Sequence, residues 1–271
     1  MFAPVRSSGC FVYFEGQLPD IPACQLLDTL VAGLDIADVA SISTRNRFLS
    51  WSKLRQKKVD AALDDSTTLS ISLLVGTPQD VRLGGAITLR LDGKFPELES
   101  PALAWVGAES QRWPATVFVR VARDWLRIAA EHGKVLSGGV LAAADLRDVV
   151  VETTQVFHTY AGEEPDTSPR SFRGKMQREK PASEARERIR RVYPITLLGP
   201  KFASQINASK LAAAGARNLE HINGSIIFDA TPDLREAWSR EYLAETVELR
   251  RLLWPLTFQN PADDPDRKGR R

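Results

Sequence analysis

The sequence predicts an α+β protein in which mixed or antiparallel sheets pack against helices. One observation is a series of short alternating stretches bounded by glycine, such as 67–76 and 85–93, which is typical of strands. The other is a set of longer stretches with apolar residues at helical spacing, of which 114–132 is the clearest. Together they favour several strands with helices packed on them.

The composition fits a globular protein and sets bounds on its function. The 271 residues are 43% hydrophobic and 26% charged, and 36 basic residues against 34 acidic ones give a net charge of +2. This even balance argues against a dedicated nucleic-acid-binding protein. Cys10 and Cys24 lack metal-ligand spacing and indicate reduced thiols. With no secretory signal and no membrane-spanning run, the predicted location is cytoplasmic and no membrane contact is expected.

The N-terminal half, 1–159, contains strands and three helices. An aromatic and β-branched stretch predicts the first strand, and Pro22 precedes leucines at helical spacing. The third helix is expected to end at Gly133, where a C-terminal cap belongs. The predicted strands are 10–16, 67–76, 85–93 and 101–109, and the predicted helices are 22–34, 48–63 and 114–132.

The C-terminal half, 192–258, opens with the strand VYPITLLG (192–199), which runs into a helix over 200–214. A second strand is expected over 223–230. Thr231 then caps a final helix with Pro232 at its first position. The charged tail, 259–271, is expected to be disordered.

A basic connection, 160–191, separates the halves and is expected to be mobile because it is rich in proline, serine and charge. A faint internal similarity relates 137–148 to 223–236. Its two explanations, chance similarity of small apolar strands and two related halves, both remain open.

Groups suited to catalysis are few. His158, Glu163 and Glu164 form the best general acid–base cluster, although a polar loop is the favoured interpretation. His132 suits a helix C-terminus, and the pairs Asp145/Asp148 and Asp229/Asp233 suit helix N-termini. No nucleophile elbow, phosphate-binding loop or zinc spacing occurs in the sequence. We therefore predict no catalytic residue, no metal, no cofactor and no enzyme activity.

The strongest charge feature lies between 170 and 191, where nine basic and three acidic residues give +6. This charge has three interpretations: it forms a solvated face, it binds an acidic protein partner, or it binds nucleic acid. Nucleic acid is the less favoured partner because Phe172 alone could stack on a base. The predicted partner-binding residues are Arg170, Arg173, Lys175, Arg178, Arg186, Arg190 and Arg191.

One segment resembles a known family. In RRVYPITLLGPKF (190–202), an aromatic-bearing strand runs into a Leu-Gly-Pro turn and an amphipathic helix. This pattern, with the Gly-Gly segment after His132 and the closing LRRLLWPLTF (249–258), resembles the type VI immunity family of bacterial polymorphic-toxin systems over 114–258. The residues that carry the match at the turn are Val192, Tyr193, Ile195, Leu197, Leu198, Gly199, Pro200 and Phe202.

This resemblance implies a cytoplasmic protein that inhibits a cognate toxin by stoichiometric binding, and it transfers no catalytic residue. A homodimer is compatible with such a function. The alternatives are a nucleic-acid-binding accessory protein that uses 170–191 and an enzyme built around His158.

Overall fold

The computed structural model describes residues 7–15, 22–33, 39–44, 47–49, 70–75, 87–92, 102–109, 115–143, 185–231, 244–258 and 265–266. Ten strands in these ranges form one sheet, and every strand pair in it is antiparallel. In chain order the strands are β1 (Ser7–Phe14), β2 (Val39–Thr44), β3 (Arg47–Leu49), β4 (Ser70–Val75), β5 (Ile87–Asp92), β6 (Ala102–Glu109), β7 (Val135–Ala143), β8 (Ile195–Leu198), β9 (Arg217–Ile222) and β10 (Ser225–Asp229). Their order across the sheet is β3-β2-β4-β5-β6-β1-β7-β8-β10-β9.

Helices cover both faces of this sheet, which confirms the predicted α+β class. In the described ranges they are α1 (Ala23–Gly33), α2 (Ala115–His132), α3 (Pro200–Ala203), α4 (Ala208–Ala213) and α5 (Val247–Leu253), and a 3₁₀ turn (Trp254–Leu256) follows α5. Within the same ranges, no helix has the length and apolar character that crossing a bilayer requires.

The strand β1 lies at the centre of the sheet and is buried along its whole length. It pairs with β6 on one side and β7 on the other, both antiparallel, so β6 and β7 run parallel to each other. Helix α2 connects them by crossing over β1. The Cys10 thiol of β1 faces this helix and donates to the Ala122 carbonyl at 3.9 Å.

Helix α2 matches its prediction closely. Its apolar stripe is buried against the sheet and α1, and the indole of Trp125 donates to the Leu26 carbonyl at 2.5 Å. The helix ends before Gly133, whose φ of 83° is the left-handed conformation that favours glycine. The buried members of the stripe are Phe118, Val121, Ala122, Trp125, Leu126, Ala129 and Ala130.

An aromatic cluster fills the opposite face of the sheet. The Phe11 ring meets the Tyr193 ring edge to face at a centroid distance of 4.9 Å, and the Tyr13 ring at 5.5 Å. Gly139 lies beneath Tyr193, and a Cβ at this position would lie only 2.7 Å from the ring. Because Gly139 has no side chain, the Tyr193 ring can pack directly against β7.

The segment 190–202 forms the predicted strand and turn. Strand β8 is buried, and the Gly199 amide donates to the Leu136 carbonyl at 2.8 Å. A Cβ on Gly199 would overlap the Val135 carbonyl, so this close approach of two backbones requires glycine.

Three element predictions differ from the structure. The expected helix over 200–214 is two short helices, because the Asn207 side chain accepts from the Ser209 amide at 2.7 Å and starts a new helix. The expected helix over 48–63 begins inside β3, and its residues 50–63 lie outside the described ranges. The sequence does not predict strands β2, β3 and β9, and it indicates β7 only through the similarity of 137–148 to 223–236.

The predicted halves share one sheet, because β7 pairs with β8 in a continuous antiparallel ladder. Most of the connection 160–191 lies outside the described residues. Its last part is described, and there Ala185 and Ile189 are buried in the aromatic core. The expected helix after Thr231 is described only from 244 onward, and the tail only at 265–266.

Candidate functional site: a braced hairpin at the edge of the sheet

A network of charged side chains fixes the β9–β10 hairpin to α2. Arg123 of α2 donates through one terminal nitrogen to Glu220 of β9 and through the other to Asp229 of β10. Asn218 donates to the second Asp229 oxygen at 2.7 Å. Because one guanidinium bonds to both strands of the hairpin, the hairpin and the helix are held as one unit.

Arg127, one turn further along α2, forms a bidentate salt bridge with the same Glu220 carboxylate. Its Nε donates to Oε2 at 2.7 Å and its Nη2 to Oε1 at 3.0 Å, while Nη1 donates to Asp124 at 2.8 Å. This fork is the geometry in which arginine binds carboxylates most specifically.

The charged side chains of this network differ in their exposure to solvent. The side chains of Arg123 and Asp229 are 14% and 12% exposed, and that of Glu220 is 26% exposed. The hydrogen bonds from Arg127 hold the pKa of Glu220 below its ordinary value, although partial burial acts in the opposite direction. The same hydrogen bonds raise the pKa of Arg127.

Two asparagines with positive φ shape the hairpin. Asn218, at φ 49°, lies where the β9–β10 register shifts, so it is the extra residue of a β-bulge. Asn223 and Gly224, at φ 46° and 79°, form a two-residue turn of the type that matches strand twist. Asn223 also donates to the Glu131 carbonyl at the end of α2, at 2.7 Å. The hairpin is thus attached to α2 near both of its ends.

Strand β9 presents its outer side to solvent. Arg217, Asn218 and His221 are exposed, whereas Leu219 packs against the core and Glu220 is engaged by α2. A rigid, exposed strand at the end of a sheet is a surface on which another chain can bind.

The predicted basic residues divide into two groups. Arg186, Arg190 and Arg191 are described and half-buried in the segment 185–193. The other four, Arg170, Arg173, Lys175 and Arg178, lie outside the described residues.

The segment 185–193 is attached to the C-terminal end of the described chain. The Ile189 amide donates to the Leu256 carbonyl at 2.9 Å, and the Phe258 amide donates to the Ile189 carbonyl at 2.8 Å. Lys201 donates to the Arg186 carbonyl at 2.7 Å and to Glu187 at 2.8 Å. The three described arginines are therefore held on a fixed backbone.

Most of the candidate acid–base groups, including the whole cluster around His158, lie outside the part of the chain that the structure describes. His158, Glu163, Glu164, Asp145, Asp148 and Asp233 lie outside the described residues. His132 is exposed at the end of α2 beside the Phe14 ring, and Asp229 belongs to the ionic network. Among the described residues, no group of three or more His, Cys, Asp or Glu side chains is arranged to hold a metal ion.

Comparison with solved structures adds a distant structural likeness to this picture. No protein-family model matches the sequence, and no curated protein matches it either. Among solved structures, the chain is similar to "T6SS protein PA0821" of Pseudomonas aeruginosa, with 11% identity and a TM-score of 0.49. The match covers 93% of this chain and 74% of the other chain. A likeness at this level does not establish a shared function.

Proposed function

We propose that the protein is an immunity protein that binds a cognate bacterial toxin, delivered by a type VI or other contact-dependent system, and neutralises it stoichiometrically in the cytoplasm. The observation that carries this proposal is the braced hairpin, an exposed strand fixed to α2 by Arg123 and Arg127. The resemblance of 190–202 to the type VI immunity family agrees with it.

A fixed surface suits an inhibitor that must bind tightly. Ordering a loop or a long side chain on binding costs about 0.5–1.5 kcal/mol for each immobilised side chain. The hairpin is already ordered by its bonds to α2, so little of that free energy is lost when a partner binds. This favours slow dissociation, which determines most differences in affinity between related complexes.

The basic segment supplies a second contact region in this proposal. Arg186, Arg190 and Arg191 lie on a backbone that is attached to the core. Complementary charge at such a place increases the rate of association and the specificity. We expect the toxin to meet this region with an acidic surface.

A nucleic-acid partner is less well supported by the described contacts. Arg188 donates to the Thr257 carbonyl at 3.4 Å, and Lys201 is engaged by Glu187. These cations are directed at the protein's own backbone and carboxylates, whereas phosphate binding needs several of them free at once.

Co-expression with the toxin encoded beside this chain tests the proposal. We expect cells to survive and the two proteins to elute as a complex of fixed stoichiometry. In a titration with purified toxin, residual activity should fall in a straight line and reach its minimum at a fixed molar ratio. An enzyme that modified the toxin would instead act at substoichiometric amounts. Full toxicity without a complex would refute the proposal.

A further inference from the structure

The outer edge of β9 has backbone groups that face away from the sheet. Strand β9 ends the described strand order and pairs only with β10. In an antiparallel pair, residues alternate between bonding to the partner strand and facing outward. Ile222 and Ser225 flank the two-residue turn and form a backbone hydrogen-bonded pair. By alternation, the N–H and C=O groups of His221 and Leu219 therefore point away from β10.

Within the described part of the chain, these outward groups have no backbone partner and are held in place. Beyond the strand ladder, no backbone bond from another described segment reaches Leu219 or His221. The Leu219 side chain packs on the core, and Glu220 is clamped by Arg123 and Arg127. The edge therefore presents a preformed template for an added strand.

The exposed charge along this edge is cationic. Arg217 lies opposite Asp229, on the face of the sheet that α2 covers, and its side chain is exposed beside the edge. Lys210 is exposed on α4, which contacts β9. The carboxylates of Glu220 and Asp229 are already engaged by arginine, and their side chains are 26% and 12% exposed.

We propose that the outer edge of β9 binds an acidic, extended segment of a partner protein, which joins the sheet as an additional strand through the backbone of Leu219 and His221. Main-chain bonds would supply affinity, and the cations Arg217 and Lys210 would select acidic side chains. The inference rests on the proposed function in taking the toxin as the partner, and it adds the chemistry of the toxin's contact segment.

A synthetic peptide tests the edge without the toxin. The probe is a short peptide that alternates glutamate with valine, and its control carries lysine in place of glutamate. We expect the glutamate peptide to slow hydrogen exchange at the Leu219 and His221 amides about tenfold or more. The lysine peptide should leave both rates unchanged.

Two variants at His221 separate backbone from side chain. His221→Pro removes the outward amide without breaking a bond to β10, which a proline on an edge strand can do. His221→Thr keeps the amide and loses the imidazole. We expect the proline variant to lose peptide binding and the threonine variant to retain it, with matching near-ultraviolet circular dichroism as proof of folding.

A charge reversal provides an independent check. Arg217→Glu should weaken binding of the glutamate peptide and improve binding of the lysine peptide. The proposal is overturned if exchange is unchanged at millimolar glutamate peptide, if both peptides act equally, or if a single-stranded oligonucleotide slows the same two amides. If the peptide binds but no toxin complex forms, the proposal for the β9 edge stands and the immunity function is refuted. If a toxin complex forms but the peptide does not bind, the immunity function stands and the proposal for the edge is refuted.

Discussion

The ring of Tyr193 packs against the backbone of Gly139, in a space that a single methyl group would occupy. Tyr193 comes from the segment before β8, and Gly139 from the middle of β7. The two residues join the parts of the chain on either side of the 160–191 connection. The same ring meets Phe11 on β1, so the contact ties the aromatic core to the centre of the sheet.

Gly139→Ala is therefore expected to lower the free energy of unfolding by about 2 kcal/mol, the usual scale for overpacking a filled core. Urea denaturation measures the change. In a Tyr193→Ala background the ring is gone, so the alanine at 139 should cost almost nothing. Additive effects of the two substitutions would contradict the contact.

The two arginines of the network should differ in their contribution to stability. Arg123→Met leaves two shielded carboxylates without their shared cation, and we expect a loss of about 2 kcal/mol. Arg127→Met removes a side chain that is 41% exposed, and we expect a loss within about 1 kcal/mol. Denaturant unfolding of the matched pair compares them, and an equal loss in both variants would argue against the different roles assigned here.

The network also predicts how stability depends on pH. The pKa of Glu220 is lower in the folded protein than its ordinary value of 4.5, so its ionised form stabilises the fold above that pH. This contribution should disappear as the pH falls from about 5 through the folded pKa. We expect Glu220→Gln to be less stable than the parent at pH 7, with the difference shrinking in acid. A difference that grows in acid would reverse the assigned sign.

The thiol of Cys10 should be unreactive in the native protein. It is fully buried against α2, and burial raises its pKa far above the ordinary range. In a Cys24→Ser variant, which leaves one cysteine, we expect iodoacetamide to label the protein only after denaturation. Mass spectrometry reads the labelling, and rapid modification of the folded variant would disprove the buried position.

Local signals predicted some elements well. The stripe from Phe118 to Ala130 and the glycine after it define α2, and the alternating apolar stretches mark β4 and β5. Such elements bury a continuous face, so their period appears in the sequence. The helix break at Asn207 was missed because the apolar residues Phe202, Ile206 and Leu211 continue the helical spacing across it.

The candidate site was harder to predict. Strand β9 carries Arg217, Glu220 and His221, so its sequence does not show the apolar–polar alternation that predicts a strand. Its bulge and its turn depend on the positive φ of Asn218 and Asn223, which the structure shows. Arg123 is 97 residues from Glu220 and 106 from Asp229, and no local pattern relates residues that far apart. The Asn-Gly turn before a β-branched run was the one available sign of this hairpin.

The position of β1 between two later strands has a consequence for biosynthesis. Its neighbours are residues 102–109 and 135–143, so more than a hundred residues must be synthesised after β1 before both of its edges can be paired. At about 5–20 residues per second, that interval is on the order of ten seconds. During it, the nascent chain exposes an apolar strand whose two edges are not yet paired, a state that favours aggregation until β7 is made.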